Sequence, residues 1–130
     1  MLAEVTTSWL LKTEPSEYSF DDLVKDKRTP WDGITNPVAL RHAREMKKGD
    51  RAVIYHTGGE RRAVGMAEVV AAGDEPVVKA VAALPSPVGL DEIKASPLFS
   101  ASPLVKMGRL SVVPLDEKQL AFIVERGKLR

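Results

Sequence analysis

The chain has 130 residues, of which 44% are hydrophobic and 28% are charged, and its formal net charge is +1. This size suits one hydrophobic core, so we predict a single domain over residues 1–130. The near-neutral charge argues against bulk electrostatic attachment to nucleic acid, and the absence of cysteine excludes disulfides, thiolate zinc sites and thiol nucleophiles.

The first residues of the chain bear on its compartment. Residues 1–7 contain no basic side chain and no apolar run of signal-peptide length. Farther along, no stretch approaches the roughly 18 consecutive apolar residues that a membrane helix needs. We therefore expect a cytoplasmic protein without a membrane partner.

The next part of the sequence predicts one strand and two helices. Residues 8–13 form a short apolar run that proline soon ends, which is typical of a buried strand. Ser19 is placed to cap a short helix over residues 20–25. Residues 27–33 have the composition of a loop. Asn36, followed by proline, then predicts the start of a second helix.

The remainder of the chain predicts mainly strands. These strands cover residues 51–57, 63–72, 76–84 and 109–113, the last ended by Pro114. A short helix over residues 90–95 and a final helix from the cap Asp116 to Arg126 accompany them, while residues 85–88 and 96–107 are expected to be irregular. Hairpin-linked strands with helices to one side favour an α+β fold, a small mixed β-barrel of about five to six strands with flanking helices.

Motifs for common cofactors and reactions are missing from the sequence. It has no glycine-rich phosphate loop, no HExxH pair and only two histidines, which lie on different elements, so we expect no cofactor and no metal. His56, Asp32 and a serine could be written as a triad, but no GxSxG motif exposes a nucleophile. We therefore assign no catalytic residue.

Polar and aromatic side chains cluster instead where strands end and between the two early helices. In a small barrel neighbouring strand ends meet at one mouth, where ligand pockets often lie. The candidate pocket residues are Lys12, Thr13, Trp31, Asn36, Tyr55, His56 and Thr57.

Two long motifs resemble a known family. Residues 9–15 (WLLKTEP) and residues 31–36 (WDGITN) are similar to the corresponding segments of the EVE domain family, and shorter matches continue in order along nearly the whole chain. That family belongs to the PUA-like superfamily and is similar to YTH domains, which read methylated adenine in RNA. The resemblance implies a PUA-like β-barrel that binds one flipped, modified nucleobase, with modified cytosine in DNA as the favoured ligand.

The resemblance also implies roles for individual residues. Lys12 and Thr13 would line the pocket, and Tyr55 and His56 would close its far side. Trp31 would stack on the base, because a flipped base offers two π-faces and a hydrogen-bonding edge.

Asn36 would offer its amide to the base in the same pocket. The chain departs from the family pattern at Thr35, Pro37 and Val38, where arginine, tyrosine and glutamine are common, and these changes leave the preferred modification open.

Each candidate also has a structural alternative. Trp31 could pack under a loop, His56 could be a hydrogen-bonded core histidine, and Asn36 has a sufficient role as a helix cap. The candidates for contact with a nucleic-acid backbone are Arg41, Arg44, Lys48, Arg62 and Arg109, which could equally be solvated surface residues.

Three function classes remain open at this stage. The favoured one is a binding module for a modified base in DNA or RNA, monomeric, without enzymatic activity and acting through an effector protein. A second is a nucleobase-directed enzyme such as a glycosylase, with Glu14 or Asp32 as its acid. A third is a module that binds small molecules or proteins.

Overall fold

The structure is a computed structural model that describes residues 8–129 as a six-stranded sheet with helices around it. The strands are β1 (Ser8–Thr13), β2 (Arg28–Pro30), β3 (Arg51–His56), β4 (Arg62–Ala71), β5 (Val77–Gly89) and β6 (Val112–Leu115). The helices are α1 (Phe20–Asp26), α2 (Pro37–Glu45), α3 (Leu90–Ala95), α4 (Pro103–Lys106) and α5 (Glu117–Arg126), with a 3₁₀ helix at Pro97–Phe99. Residues 1–7, on which the expectation about a signal segment rested, lie outside the described part.

The strands follow the order β2-β5-β4-β3-β1-β6. Each neighbouring pair is antiparallel except β1 and β3, which run parallel. The sheet curls into a half-barrel, which confirms the predicted α+β class with its mixed sheet and flanking helices. The parallel pair matters most for the site, because the carboxyl ends of β1 and β3 emerge side by side.

The helices begin where capping residues stand in the sequence. The Ser19 and Asp116 side chains each accept a backbone N–H of the first turn, in capping boxes closed by Asp22 and Gln119 respectively. Asn36 Oδ1 accepts two helix N–H groups at 2.8 and 3.1 Å. These three predicted helix starts are confirmed.

Gly65 has a packing reason to be glycine. It lies in β4 at a shift of register against β5, and a Cβ built on it would come within 2.5 Å of the Phe20 ring. Phe20 is 3% exposed and opens α1, so the glycine lets that helix lie directly on the sheet. The backbone of β4 therefore approaches α1 closely at Gly65.

Two predicted loops were wrong because their strands carry weak sequence signals. Residues 27–33 contain β2, a three-residue edge strand that pairs with β5 through Thr29 and Val78. Residues 85–88 belong to β5 and include two prolines. Residues 84–87 have no partner in β4, whose pairing with β5 jumps from Ala63 to Gly65, so these prolines need no ladder hydrogen bond.

The segment 96–107 was also predicted wrongly. Ser96 and Ser102 each accept a backbone N–H two residues ahead and cap the 3₁₀ helix and α4, each of which starts with proline. A serine followed by proline was therefore a helix start rather than an irregular stretch. The last strand begins at Val112, later than predicted, and runs through Pro114, because β6 is an edge strand with one neighbour.

Candidate functional site

The ends of β1 and β3 place four of the predicted pocket residues next to one another. In the parallel register Lys12 pairs with Tyr55 and Thr13 pairs with His56. The Thr57 N–H extends this pairing, donating to the Thr13 carbonyl at 2.9 Å. The parallel ladder therefore fixes one mouth of the half-barrel as the place where these side chains gather.

A cleft of about 580 Å³ opens at this mouth and is lined by residues 12–14, 17–18 and 29–33. Three of the predicted pocket residues line it, namely Lys12, Thr13 and Trp31. Its volume falls within the roughly 300–1,000 Å³ typical of small-ligand sites. It has room for one nucleobase.

Tyr18 is a cleft residue to which the sequence analysis gave no role. The turn after β1 carries it back over the strand end, because the Glu14 carbonyl accepts the N–H groups of both Glu17 and Tyr18 at 2.9 Å. Thr13 Oγ1 donates to the Tyr18 carbonyl at 2.6 Å, and the Tyr18 hydroxyl donates to Asp26 at 2.8 Å. Burial, followed by the Asp26 hydrogen bond, raises the pKa of Tyr18 to about 12, so its hydroxyl stays protonated at neutral pH.

Trp31 meets Tyr18 edge to face, with ring centroids 6.1 Å apart and planes at 86°. Its backbone N–H donates to the Pro76 carbonyl at 2.7 Å, which holds the residue at the end of β2. Only 8% of Trp31 is exposed. Its indole N–H makes no hydrogen bond among residues 8–129, and since it is not one of the buried atoms left without a partner, solvent reaches it.

The cleft carries more negative than positive charge. Glu14, Glu17 and Asp32 line it, against Lys12 as the sole basic lining residue. The Glu14 carboxylate lies against Gly58, where a Cβ would come within 2.8 Å of both its oxygens. Glu14 Oε2 is buried without a hydrogen-bond partner in the described part of the chain. The carboxylate oxygens of the lining can accept hydrogen bonds from a ligand with N–H groups, and their negative charge repels an anion.

A second, smaller cavity adjoins the cleft, and we call it the side cavity. It holds about 240 Å³ and is lined by Lys12, Tyr55, Thr57 and Arg61, by Leu90 and Leu104, and by two glycines. Lys12 lines both spaces, and its Nζ donates to the Gly108 carbonyl at 2.7 Å and lies 5.8 Å from the Tyr55 ring centroid. Burial lowers the pKa of Lys12 and raises the pKa of Tyr55.

A sequence profile of the EVE domain matches residues 7–77 and 74–126. The chain belongs to the EVE domain family. No curated protein sequence matches it significantly. The resemblance carried by the two tryptophan motifs is thereby confirmed.

Solved structures share the fold of this EVE domain. Protein Atu2648 from Agrobacterium tumefaciens is 31% identical, with a TM-score of 0.90 over 95% of this chain and 94% of the other. Rpa0253 from Rhodopseudomonas palustris is 32% identical, with a TM-score of 0.86 over the same shares of 95% and 94%. Human THYN1, solved in complex with DNA containing 5-methylcytosine, is 23% identical, with a TM-score of 0.84 over 95% and 99%. The likeness supports the PUA-like fold class.

Two predicted pocket residues of the EVE domain line neither the cleft nor the side cavity. His56 is 8% exposed, its Nε2 accepts the Phe20 N–H at 3.0 Å, and its Nδ1 therefore carries the proton donated to Glu60 at 2.9 Å. Asn36 is exposed and its oxygen is occupied in capping α2. In both cases the contacts match the structural alternative given above.

The basic candidates of the EVE domain do not form one patch with the cleft. All five are exposed, namely Arg41, Arg44, Lys48, Arg62 and Arg109. Arg44 is paired with Asp74, and Arg62 Nε lies 3.2 Å from Glu60. None of the five lines the cleft or the side cavity.

Two negative findings apply to residues 8–129 of the EVE domain. No group of three or more histidine or acidic side chains there could hold a metal ion. No helix in that range is long and apolar enough to cross a membrane.

Proposed function

We propose that this EVE domain binds one flipped, modified nucleobase in the cleft, and that the base is a modified cytosine in DNA. The observation that carries the proposal is the Trp31–Tyr18 pair beside three carboxylate side chains in a cleft of about 580 Å³. A base needs an aromatic surface and a few fixed polar groups, and this lining offers both.

The polar lining favours a base that carries an amino group. Carboxylates accept hydrogen bonds from the exocyclic amine of cytosine, and Glu14, Glu17 and Asp32 are placed around the cleft. Thymine lacks that amine. A methyl group on cytosine adds apolar contact, which discriminates by about 1–3 kcal/mol. The human relative solved with 5-methylcytosine DNA supports the same ligand class for this chain.

The proposed module covers residues 1–130 as one domain, acts as a monomer in the cytoplasm and is not an enzyme. Its output, in this proposal, comes from an effector protein or from covering the modified site. A modified base in RNA is an alternative ligand.

A glycosylase is the second candidate, because carboxylates at Glu14 and Asp32 line the cleft. If the domain excised bases, alkali would cleave methylcytosine DNA after incubation with wild-type protein but not after incubation with Glu14→Gln or Asp32→Asn. We expect no cleavage in any of the three.

The proposal is tested by fluorescence anisotropy with short DNA and RNA strands that carry cytosine or 5-methylcytosine at one position, at two salt concentrations. We expect tighter binding to methylcytosine DNA and a loss of about tenfold or more in Trp31→Ala, since stacking contributes about 1–3 kcal/mol per base. Phe122→Ala is the matched control, because Phe122 packs on Phe99 away from the cleft. Equal, strongly salt-dependent binding to every strand would leave only phosphate attraction.

A further inference from the structure

The two spaces at the mouth of the half-barrel differ in charge. The cleft has three acidic lining residues and one lysine. The side cavity is lined by Lys12 and Arg61 and by no acidic residue, while the Glu14 carboxylate of the cleft lies against Gly58, which also lines the side cavity. An anion is therefore favoured in the side cavity and disfavoured in the cleft, and a nucleotide has such an anion attached to its base through the sugar.

Arg61 is the second basic residue that lines the side cavity. Its guanidinium belongs to none of the ion pairs formed among residues 8–129. Its backbone has φ +47°, a conformation that arginine seldom adopts, and the Leu90 N–H holds it there by donating to the Arg61 carbonyl at 2.9 Å. Strained residues held by their surroundings are concentrated at binding sites.

Lys12 links the two spaces. Its ammonium uses one N–H on the Gly108 carbonyl, which leaves further donors for a ligand. Tyr55 and Thr57 belong to the same lining. At about 240 Å³ the side cavity is smaller than a typical site for a whole ligand, and it suits a fragment such as a phosphate.

We propose that the side cavity is an anion subsite in which Lys12 and Arg61 bind a phosphate adjoining the flipped nucleotide. This inference rests on the proposed function and adds a residue, Arg61, that was not among the backbone candidates. Asp91, which acts electrostatically on Tyr55, lies outside the lining of the side cavity.

The test replaces one phosphate of the methylcytosine strand by a neutral methylphosphonate, on either side of the modified base. Wild-type protein is expected to lose about tenfold in affinity for one of the two strands, the size of a charge-assisted hydrogen bond. Arg61→Gln should bind the normal strand about tenfold more weakly and be insensitive to the methylphosphonate, whereas Arg61→Lys keeps part of the effect.

Arg51→Gln is the matched control, because Arg51 is an exposed arginine at the opposite end of β3. Equal losses in Arg51→Gln and Arg61→Gln, or a methylphosphonate effect that persists in Arg61→Gln, would overturn the subsite. Thermal unfolding of each variant shows whether the fold is retained.

NMR titrations with free ligands separate this inference from the proposed function. If 5-methyl-2′-deoxycytidine binds but its 3′- and 5′-monophosphates bind no better, the base pocket stands and the subsite fails. If inorganic phosphate binds through Arg61 while the nucleoside does not, the anion site stands and the base pocket fails. Inorganic phosphate binding as tightly as the monophosphates would overturn the assignment to a nucleotide.

Discussion

The two tryptophans lie at different ends of the structure and differ in how their polar atoms are used. Trp9, in β1, is 2% exposed, and its indole N–H donates to Asp50 at 3.0 Å. Trp31, at the cleft, is 8% exposed, and its indole N–H has no acceptor among residues 8–129. Both are largely buried, so burial alone does not distinguish them.

The difference identifies the indole N–H as the informative atom. A buried indole that has its hydrogen bond is a complete part of the core, as at Trp9. An indole that keeps a free N–H beside a cleft has a donor left for a ligand, as at Trp31. The same distinction separates Arg44, paired with Asp74, from Arg61, which has no such partner in the described part of the chain.

The largest effect is expected at the core tryptophan. Trp9→Ala should lower the free energy of unfolding by about 3–5 kcal/mol, because a large buried side chain is lost and a cavity remains. Trp31→Ala should lower the free energy of unfolding less than Trp9→Ala does, and it should weaken binding to the methylcytosine strand more. Urea denaturation of both variants measures the free energy of unfolding. A larger loss of stability in Trp31→Ala than in Trp9→Ala would contradict the difference drawn between the two tryptophans.

Replacing each tryptophan by phenylalanine isolates the N–H group. Trp9→Phe leaves the Asp50 carboxylate without this donor and should cost about 1–3 kcal/mol of stability. Trp31→Phe removes a donor with no internal partner, so stability should hardly change while affinity for the methylcytosine strand falls several-fold. Unchanged affinity would show that the Trp31 N–H does not contact the ligand.

His56 was predicted to lie in the pocket, but its ring nitrogens make hydrogen bonds inside the protein, as the Trp9 indole does. Its hydrogen bond holds the pKa of Glu60 below the ordinary 4.5. The folded state therefore binds this proton less tightly than the unfolded state, and the stabilisation is present above about pH 4.5 and lost as pH falls through the lower, folded pKa. Glu60→Gln should therefore lose less stability than the wild type as pH falls. Urea midpoints measured between about pH 3 and about pH 6 test this expectation.

Oligonucleotide affinity at neutral pH should be the same for Glu60→Gln and wild type. A large loss of affinity in Glu60→Gln would instead indicate that His56 and Glu60 belong to the binding site.

The smallest effect is expected at Arg44. Because its guanidinium is paired with Asp74 on the surface, where ion pairs contribute little, Arg44→Ala should leave the urea midpoint almost unchanged. The salt dependence of oligonucleotide binding should keep the wild-type slope, since no phosphate contact is removed. A reduced slope would add Arg44 to the binding surface.

The sequence predicted the elements whose signals are local. Capping at Ser19, Asn36 and Asp116 and the apolar run of β1 were read correctly because each depends on a few adjacent residues. The short strand β2 was missed because only its pairing with the distant β5 makes it a strand.

Only part of the lining of the cleft and the side cavity was predicted, because local sequence signals mark some of its residues and not others. Lys12, Thr13 and Trp31 line the cleft, and their role in binding a base stays a prediction. Tyr18 and Arg61 were missed, because the turn after β1 and the backbone conformation of Arg61 bring them to the mouth, and neither can be read from composition. The position of Tyr18 directly before the helix cap Ser19 was a local signal that could have pointed to it.

Both outer strands of the sheet contain a proline, Pro30 in β2 and Pro114 in β6. An open sheet exposes two ladders to which strands of other molecules can add, and that is how many β-proteins begin to aggregate. Each proline removes one N–H from such a ladder. Edge-to-edge growth of this sheet is therefore hindered on both sides, so the open half-barrel can keep its mouth accessible to ligand without closing into a full barrel.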